Sequence, residues 1–203
     1  MNLPNKITLG RFGVALLMFA VLVWTDTCAG PDWRVPAIAG SIFILAVATD
    51  ALDGYYARKL GQQSDFGRIA DPVVDKVIVC GAFIFLSSAD WARVHVPVWM
   101  TVVIVAREFL VNGLRGYIEA RGVAFPARWD GKLKMILQCI AVPAVFLVRT
   151  VDLGLGTSVP WLWQLSLGLA YVFVWATFAL TVISGARYVA AAAQVLRSSE
   201  GAA

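Results

Sequence analysis

Four aspartates recur at helical spacings early in the chain. Asp50 and Asp53 are three residues apart, and Asp71 and Asp75 are four apart, so each pair would share one face of a helix. If these helices are antiparallel neighbours joined by a short loop, the two pairs would face each other. Four carboxylates in one small volume repel each other unless cations neutralise them. Because all-oxygen ligands favour hard cations, the pattern predicts a site for Mg²⁺, with Mn²⁺ or Ca²⁺ as alternatives.

Basic side chains accompany these aspartates. The stretch from Asp50 to Lys76 also contains two arginines and two lysines. Divalent cations held by carboxylates beside Arg and Lys suggest phosphate chemistry. A set of structural ion pairs, such as Asp53 with Arg58, is the alternative. One pair would fit that alternative, but four carboxylates at two helical spacings fit it poorly.

The elements that position these residues are apolar enough to lie in a membrane. The chain has 203 residues, of which 60% are hydrophobic and only 15% are charged, against about a quarter charged in an average soluble domain. The hydrophobicity extends over nearly the whole length and leaves little sequence for a polar surface. We expect an all-α integral membrane protein in a single domain (1–203). Its fold would be a six-transmembrane-helix bundle with helices at roughly 8–25, 36–59, 68–89, 95–116, 132–149 and 160–189.

Most of the charge-free runs in these helices are too short to span a membrane alone. A run such as 35–49 covers about 22 Å of helix, whereas the hydrocarbon core is about 30 Å thick. Charged residues must therefore lie at or inside the membrane boundary, where they usually face a watery cavity or a partner. Snorkelling of Lys and Arg is the alternative, but it does not explain the short Asp side chains. We therefore expect a polar cavity near one membrane face.

Basic residues crowd one end of the predicted bundle. Of the 17 Lys and Arg residues, all except Arg34, Arg93 and Arg149 fall on one side. The positive-inside rule places this side, with both termini and the aspartate segment, in the cytoplasm. We expect a multi-pass protein of the cell (inner) membrane with a cytoplasmic active site. The asymmetry accounts for the net charge of +4, so no nucleic-acid partner is expected.

The aspartates belong to a longer pattern of eight fixed positions. It is Asp50-x2-Asp53-Gly54-x2-Ala57-Arg58-x8-Gly67-x3-Asp71-x3-Asp75. This pattern resembles the signature of the CDP-alcohol phosphatidyltransferases at every position, and the fixed gaps make the resemblance specific. The resemblance implies a six-helix membrane enzyme that forms a homodimer. Such an enzyme replaces the CMP of a CDP-linked lipid with an alcohol, at a divalent-metal site on the cytoplasmic face.

The resemblance also implies roles for the aspartates. Asp50, Asp53, Asp71 and Asp75 would hold one or two Mg²⁺ ions, or Mn²⁺ in their place. Asp75 would be the general base that takes the proton from the acceptor hydroxyl. The metals would neutralise the diphosphate of CDP-diacylglycerol, the expected lipid donor, and stabilise CMP as it leaves.

The same pattern implies a binding site for CDP-diacylglycerol. Its residues would be Asp53, Gly54, Ala57, Arg58 and Gly67. Arg58 would contact the diphosphate, and the three small residues would let the nucleotide lie close to the backbone. Ordinary helix packing by small residues is the alternative for those three.

A second basic cluster could bind the phosphate of an acceptor. Arg107 and Arg115 are eight residues apart on one face of the predicted fourth helix, and Lys132 and Lys134 begin the fifth. Such a cluster is suited to hold a phosphate group. Positive-inside topology is the alternative explanation for basic residues at this end. Arg107 favours the functional interpretation because it lies well inside an apolar run, next to Glu108.

Further stretches bear on the identity of the acceptor. The opening MNLPNKITLGR resembles family members that use glycerol 3-phosphate or phosphatidylglycerol, whereas 107–122 and 131–138 resemble those that use glycerol 3-phosphate. We therefore expect glycerol 3-phosphate as acceptor, with inositol phosphate, serine or phosphatidylglycerol as alternatives. A metal-ion transporter is an alternative of another class. It is disfavoured because the polar residues crowd one end of the spans, whose far halves are apolar. The similar stretches cover most of residues 1–140, and the last span offers little beyond hydrophobicity.

Overall fold

The computed structural model describes residues 3–27, 32–60, 65–121, 123, 129–155 and 158–200, and at 3–9, 11, 24–27, 50–60, 65–72, 196 and 198–200 it describes the backbone only. Within these ranges the chain forms six α-helices and no strands. The helices are α1 (Leu3–Thr27), α2 (Arg34–Leu60), α3 (Asp65–Ser88), α4 (Val98–Ala120), α5 (Trp129–Gly154) and α6 (Pro160–Glu200). The predicted all-α architecture with six helices is confirmed.

Two helix boundaries differ instructively from the prediction. Helix α6 has 41 residues and continues well past 189, because the segment after the charge-free run contains four consecutive alanines at 190–193, and Ala has the highest helix propensity. Helix α4 begins at Val98 and not at 95. Pro97 precedes it with an extended backbone, φ −66° and ψ 148°, and a residue before proline is disfavoured in helical geometry.

The helices pack so that α3, α4, α5 and α6 meet at one end. Helix α5 packs most extensively against α6, α4 packs against α6 and α3, and α3 also contacts α5. Helix α1 contacts both α2 and α3. Among the described residues, the extended contacts of α2 are with α1 and α5, and not with α3. The expected face-to-face arrangement of the two aspartate pairs stays a prediction, because Asp75 is the one aspartate of the four whose side chain lies in the described part.

The buried face of α6 repeats every three or four residues, as expected for one side of a helix. Four of its hydroxyl-bearing members follow one another between 177 and 188. Its members are Ser166, Ala170, Val174, Thr177, Thr181, Ser184, Tyr188 and Ala192. This face carries the polar residues of α6 toward α4 and α5.

The outward faces of the bundle are strongly apolar. Every helix exposes large hydrophobic side chains, for example Leu45 on α2, Ile84 on α3 and Val172 on α6. Within the described part, Trp129–Gly154 and Pro160–Val195 are long and apolar enough to cross a membrane. Six membrane spans remain a prediction, whereas these two helices and the apolar exterior support association with a membrane.

Candidate active site

A cavity of about 330 Å³ opens where α3, α4, α5 and α6 meet. Its size lies at the lower end of the range for small-molecule sites, about 300–1,000 Å³. Polar side chains from all four helices line it. They are Asp75, Lys76, Arg107, Glu108, Asn112, Arg115, Lys132, Lys134, Gln138 and Tyr188.

The structure brings together residues that the sequence assigned to two different tasks. Arg107, Arg115, Lys132 and Lys134, the predicted acceptor-phosphate residues, all line this cavity together with Asp75, the predicted general base. The prediction required an acceptor to reach both groups at once. Their common position is compatible with that requirement, and the binding roles themselves stay predictions.

The remaining predicted site residues lie in helical segments whose side chains are outside the described part. Asp50, Asp53, Gly54, Ala57 and Arg58 are on α2, and Gly67 and Asp71 are on the first turns of α3. Across the described residues alone, no group of three or more His, Cys, Asp or Glu could hold a metal. Because only Asp75 of the four aspartates is in that set, the metal site stays a prediction. The chemistry of the predicted donor set, carboxylate oxygens only, fits Mg²⁺ or Mn²⁺.

The charge of the cavity suits an anion. Its described lining contains five cationic side chains, those of Lys76, Arg107, Arg115, Lys132 and Lys134, against the carboxylates of Asp75 and Glu108. Cations in excess along a cleft raise the local concentration of anions and bind them strongly. A phosphate group would supply the missing negative charge.

Arg107 is held in place by partners on α4 and α6. It is 9% exposed, and its Nη2 donates a hydrogen bond to Ser184 Oγ at 2.9 Å. Its Nη1 lies 3.4 Å from Oε1 of Glu108, and the same oxygen accepts a hydrogen bond from Nζ of Lys134. Because a buried charge is costly unless it is paired, Glu108 stabilises two buried cations at once.

Tyr188 lies between the two arginines of α4. The Cζ atoms of Arg107 and Arg115 are 5.7 Å and 5.9 Å from the centroid of its ring, within cation–π range. The Tyr188 hydroxyl accepts a hydrogen bond from Arg115 Nη2 at 3.1 Å. The ring is 2% exposed, so the packing fixes the distance between the two guanidinium groups.

Close approach of α4 and α6 requires a glycine beside Arg107. A Cβ added at Gly185 would lie 2.9 Å from Cγ of Arg107, closer than such atoms approach in proteins. The stem of Arg107 therefore packs directly over the backbone of α6. This contact explains how an arginine inside an apolar run can reach Ser184.

Sequence reasoning missed the contribution of the last helix. Ser184, Gly185 and Tyr188 all contact the basic cluster, yet α6 was expected to offer little beyond hydrophobicity. One signal was present: Thr177, Thr181, Ser184 and Tyr188 recur at spacings of four, three and four in an otherwise apolar helix. Such a polar stripe indicates a helix face turned toward a polar neighbour.

Comparison with known proteins decides the family. The family model for CDP-alcohol phosphatidyltransferase matches residues 1–183. The chain belongs to the CDP-alcohol phosphatidyltransferase family. The resemblance carried by the eight-position signature is thereby confirmed. Membership in this family makes the chain a transferase that acts on a CDP-linked donor.

Three curated relatives narrow the comparison within the CDP-alcohol phosphatidyltransferases. The CDP-diacylglycerol–glycerol-3-phosphate 3-phosphatidyltransferase of Bacillus subtilis (strain 168) is 38% identical over 205 residues, covering 98% of this chain and 98% of the relative. The probable phosphatidylglycerophosphate synthase of Mycobacterium tuberculosis (strain CDC 1551 / Oshkosh) is 34% identical over 191 residues, covering 94% of this chain and 81% of the relative. The CDP-diacylglycerol–glycerol-3-phosphate 3-phosphatidyltransferase of Rickettsia bellii (strain RML369-C) is 31% identical over 188 residues, covering 92% of this chain and 93% of the relative.

Proposed function

We propose that the chain transfers the phosphatidyl group of CDP-diacylglycerol to glycerol 3-phosphate. The products would be phosphatidylglycerophosphate and CMP, in phospholipid biosynthesis. One structural observation supports a phosphorylated acceptor: the cavity beside Asp75 has five cationic side chains against two carboxylates in its described lining. The names of the three relatives support the same acceptor.

The proposed reaction exchanges one phosphorus–oxygen bond for another. A hydroxyl of glycerol 3-phosphate attacks the lipid-side phosphorus of the CDP-diacylglycerol diphosphate, and the bond from that phosphorus to the oxygen of CMP breaks. Asp75 takes the proton of the attacking hydroxyl. Arg115 and Lys132, close to the helix ends that border the cavity, bind the acceptor phosphate and orient the hydroxyl toward Asp75. Orientation of this kind converts binding energy into rate.

We also propose that the enzyme depends on a divalent metal. Asp50, Asp53, Asp71 and Asp75 would hold one or two Mg²⁺ ions, or Mn²⁺. A bound metal would neutralise the negative charge of the diphosphate and of the leaving CMP. Arg58 would add a cation to the diphosphate site, beside the small residues at 54, 57 and 67. The donor chemistry of the aspartates supports this proposal.

The proposed setting is the cell (inner) membrane. We propose that 1–203 is a single domain that spans it six times, with both termini and the cavity on the cytoplasmic side. The exposed apolar side chains on every helix and the two long apolar helices support this setting. The basic cavity lies near the end of α4 and the start of α5, at the end rich in Lys and Arg. The proposed homodimer rests on the family resemblance alone.

A different phosphorylated acceptor is the second candidate. Inositol phosphate would use the same cationic cavity, since its phosphate has the same charge. Serine has no phosphate and would leave the excess of cations without a partner, so the cavity disfavours it. Phosphatidylglycerol would bring its phosphate on a second lipid. Basic residues alone do not separate glycerol 3-phosphate from inositol phosphate.

The test is a side-by-side assay of acceptors. Purified protein in detergent is given CDP-diacylglycerol, Mg²⁺ and one of glycerol 3-phosphate, inositol phosphate, serine or phosphatidylglycerol, and CMP release and the lipid product are measured. We expect CMP and phosphatidylglycerophosphate with glycerol 3-phosphate, and at most background with the others. Release with another acceptor instead would reassign the acceptor, and release with none would contradict the transferase proposal.

A further inference from the structure

Gln138 is a buried amide in the cavity wall without a partner for its nitrogen. It is 2% exposed and lines the cavity, and its Nε2 has no hydrogen-bond acceptor in the protein. More than about nine in ten buried polar groups in proteins are hydrogen-bonded. An exception in the wall of a binding cavity indicates that a ligand supplies the partner.

Gln138 is distinguished from the other unpaired buried atoms of the described residues. Those on Arg107 and Arg115 belong to the predicted acceptor-phosphate residues, which we call the phosphate cluster (Arg107, Arg115, Lys132 and Lys134). Those on Thr177 and Thr181 lie on residues that do not line the cavity. Gln138 is therefore an uncharged donor in the wall of a cationic cavity. An uncharged amide is suited to an uncharged polar group of the ligand.

The position of Gln138 places it beyond the phosphate cluster. It follows Lys134 by four residues on α5, which is about 6 Å along the helix and on the same face. Lys132 and Lys134 lie nearer the start of α5. A small acceptor whose phosphate binds among these cations would extend its carbon chain along α5 toward Gln138. Asp75, which would receive the reacting hydroxyl, lies on a different helix, α3.

We propose that Gln138 binds the secondary hydroxyl of glycerol 3-phosphate, the one that does not react. This inference rests on the function proposed above. A hydroxyl both donates and accepts, so it satisfies a side-chain amide in either orientation. Gln138 would thus be a specificity-determining residue. An acceptor without the secondary hydroxyl would leave the buried amide unpaired and would be used less well.

The experiment crosses a variant with a matched pair of acceptors. The acceptors are glycerol 3-phosphate and 3-hydroxypropyl phosphate, which keeps the phosphate and the primary hydroxyl but lacks the secondary hydroxyl. We expect wild-type protein to prefer glycerol 3-phosphate in kcat/KM by about tenfold or more. Gln138→Met replaces the amide with an apolar side chain of similar length. It should lower kcat/KM for glycerol 3-phosphate and bring the preference close to one.

The matched control is Gln164→Met, since Gln164 is exposed on α6 and lies outside the cavity. It should keep the wild-type preference. A Gln138→Met protein that keeps the preference, or that loses activity on both acceptors equally, would overturn the inference. So would wild-type protein that uses both acceptors equally well.

A second variant covers the case in which Gln138→Met does not fold. Gln138→Asn withdraws the amide by one methylene, and its preference should fall below that of wild type; an unchanged preference overturns the inference. The two proposals fail differently. Wild-type protein without CMP release on glycerol 3-phosphate contradicts the proposed function, whereas normal release with an unaltered preference in the variants contradicts only the role of Gln138.

Discussion

Glu108 on α4 accepts a hydrogen bond from the ammonium group of Lys134 on α5, and both side chains are almost entirely buried. Glu108 also pairs with its neighbour Arg107. One carboxylate therefore pairs with two cations in the cavity wall, and the three groups together keep a net positive charge. The Glu108–Lys134 pair also joins the two helices that carry the phosphate cluster.

The first prediction follows from this shared carboxylate. Glu108→Gln should destabilise the protein strongly, since removing one partner of a buried ion pair costs about 3–5 kcal/mol. For a chain of this length that corresponds to a fall in melting temperature of roughly 10 °C. The measurement is thermal unfolding in detergent. The matched control is Asp90→Asn, which breaks the exposed pair with Arg93 and should change little. Equal melting temperatures for the two variants would contradict the role of Glu108.

The second prediction concerns Arg115 as a residue that binds the acceptor phosphate. A hydrogen bond to a charged group contributes about 1.5–3 kcal/mol, so Arg115→Ala should raise KM for glycerol 3-phosphate about tenfold or more. KM for CDP-diacylglycerol should change much less, because its diphosphate would be bound elsewhere. Arg115→Lys should rescue only partly, since lysine lacks the planar fork of donors.

Steady-state kinetics on both substrates check this second prediction. The control is Arg121→Ala. Arg121 directly follows α4, the helix that carries Arg115; it is exposed and contacts Tyr117 outside the cavity. If both KM values rise together in Arg115→Ala, the arginine shapes the whole site. If neither rises, the phosphate is bound by other cations, and Lys132 and Lys134 become the next candidates.

The third prediction concerns Tyr188 as a positioning residue for both arginines. Tyr188→Phe keeps the ring between Arg107 and Arg115 but removes the hydroxyl that Arg115 contacts, so KM for glycerol 3-phosphate should rise about two- to tenfold. Tyr188→Leu also removes the cation–π contacts and should raise it further. KM for CDP-diacylglycerol is the internal reference. Tyr171, exposed on the same helix, provides the control pair Tyr171→Phe and Tyr171→Leu, which should match wild type.

A purely structural Tyr188 would give a different pattern. In that case the Phe and Leu variants would lower the melting temperature and kcat while leaving the KM for glycerol 3-phosphate at the wild-type value. The contacts of Tyr188 with two guanidinium groups predict instead that the KM for glycerol 3-phosphate rises from wild type to the Phe variant and again to the Leu variant.

The sequence predicted the helices and the basic cluster because both depend on local spacing. Apolar runs of helical length are visible directly, and two arginines eight residues apart share a helix face wherever the helix packs. The contacts that organise the cluster are long-range: Arg107 with Ser184 and Arg115 with Tyr188 are 77 and 73 residues apart. They depend on which face of α6 packs against α4, and helical periodicity within α6 alone does not specify that partner.

The unpaired amide of Gln138 was invisible to sequence reasoning for a related reason. A glutamine at that place in the fifth helix has the same spacing whether it faces lipid, a helix or a cavity. Only the packed structure reveals that it is buried and lacks an acceptor. The general lesson is physical: charge and periodicity are local properties, whereas the satisfaction of a polar group is a property of the packed bundle.

The last prediction concerns the proposed metal. Asp71→Asn should abolish turnover, because the amide keeps the size of the side chain but removes one of the four negative charges that would hold the cation. Chelator should abolish CMP release by wild-type protein, and added Mg²⁺ should restore it. The control is Asp152→Asn, which breaks the Arg149–Asp152 pair far from the cavity along α5 and should leave turnover unchanged. Undiminished CMP release in chelator would contradict metal dependence altogether. Activity retained in Asp71→Asn but lost in chelator would keep the metal and remove only Asp71 from its ligands.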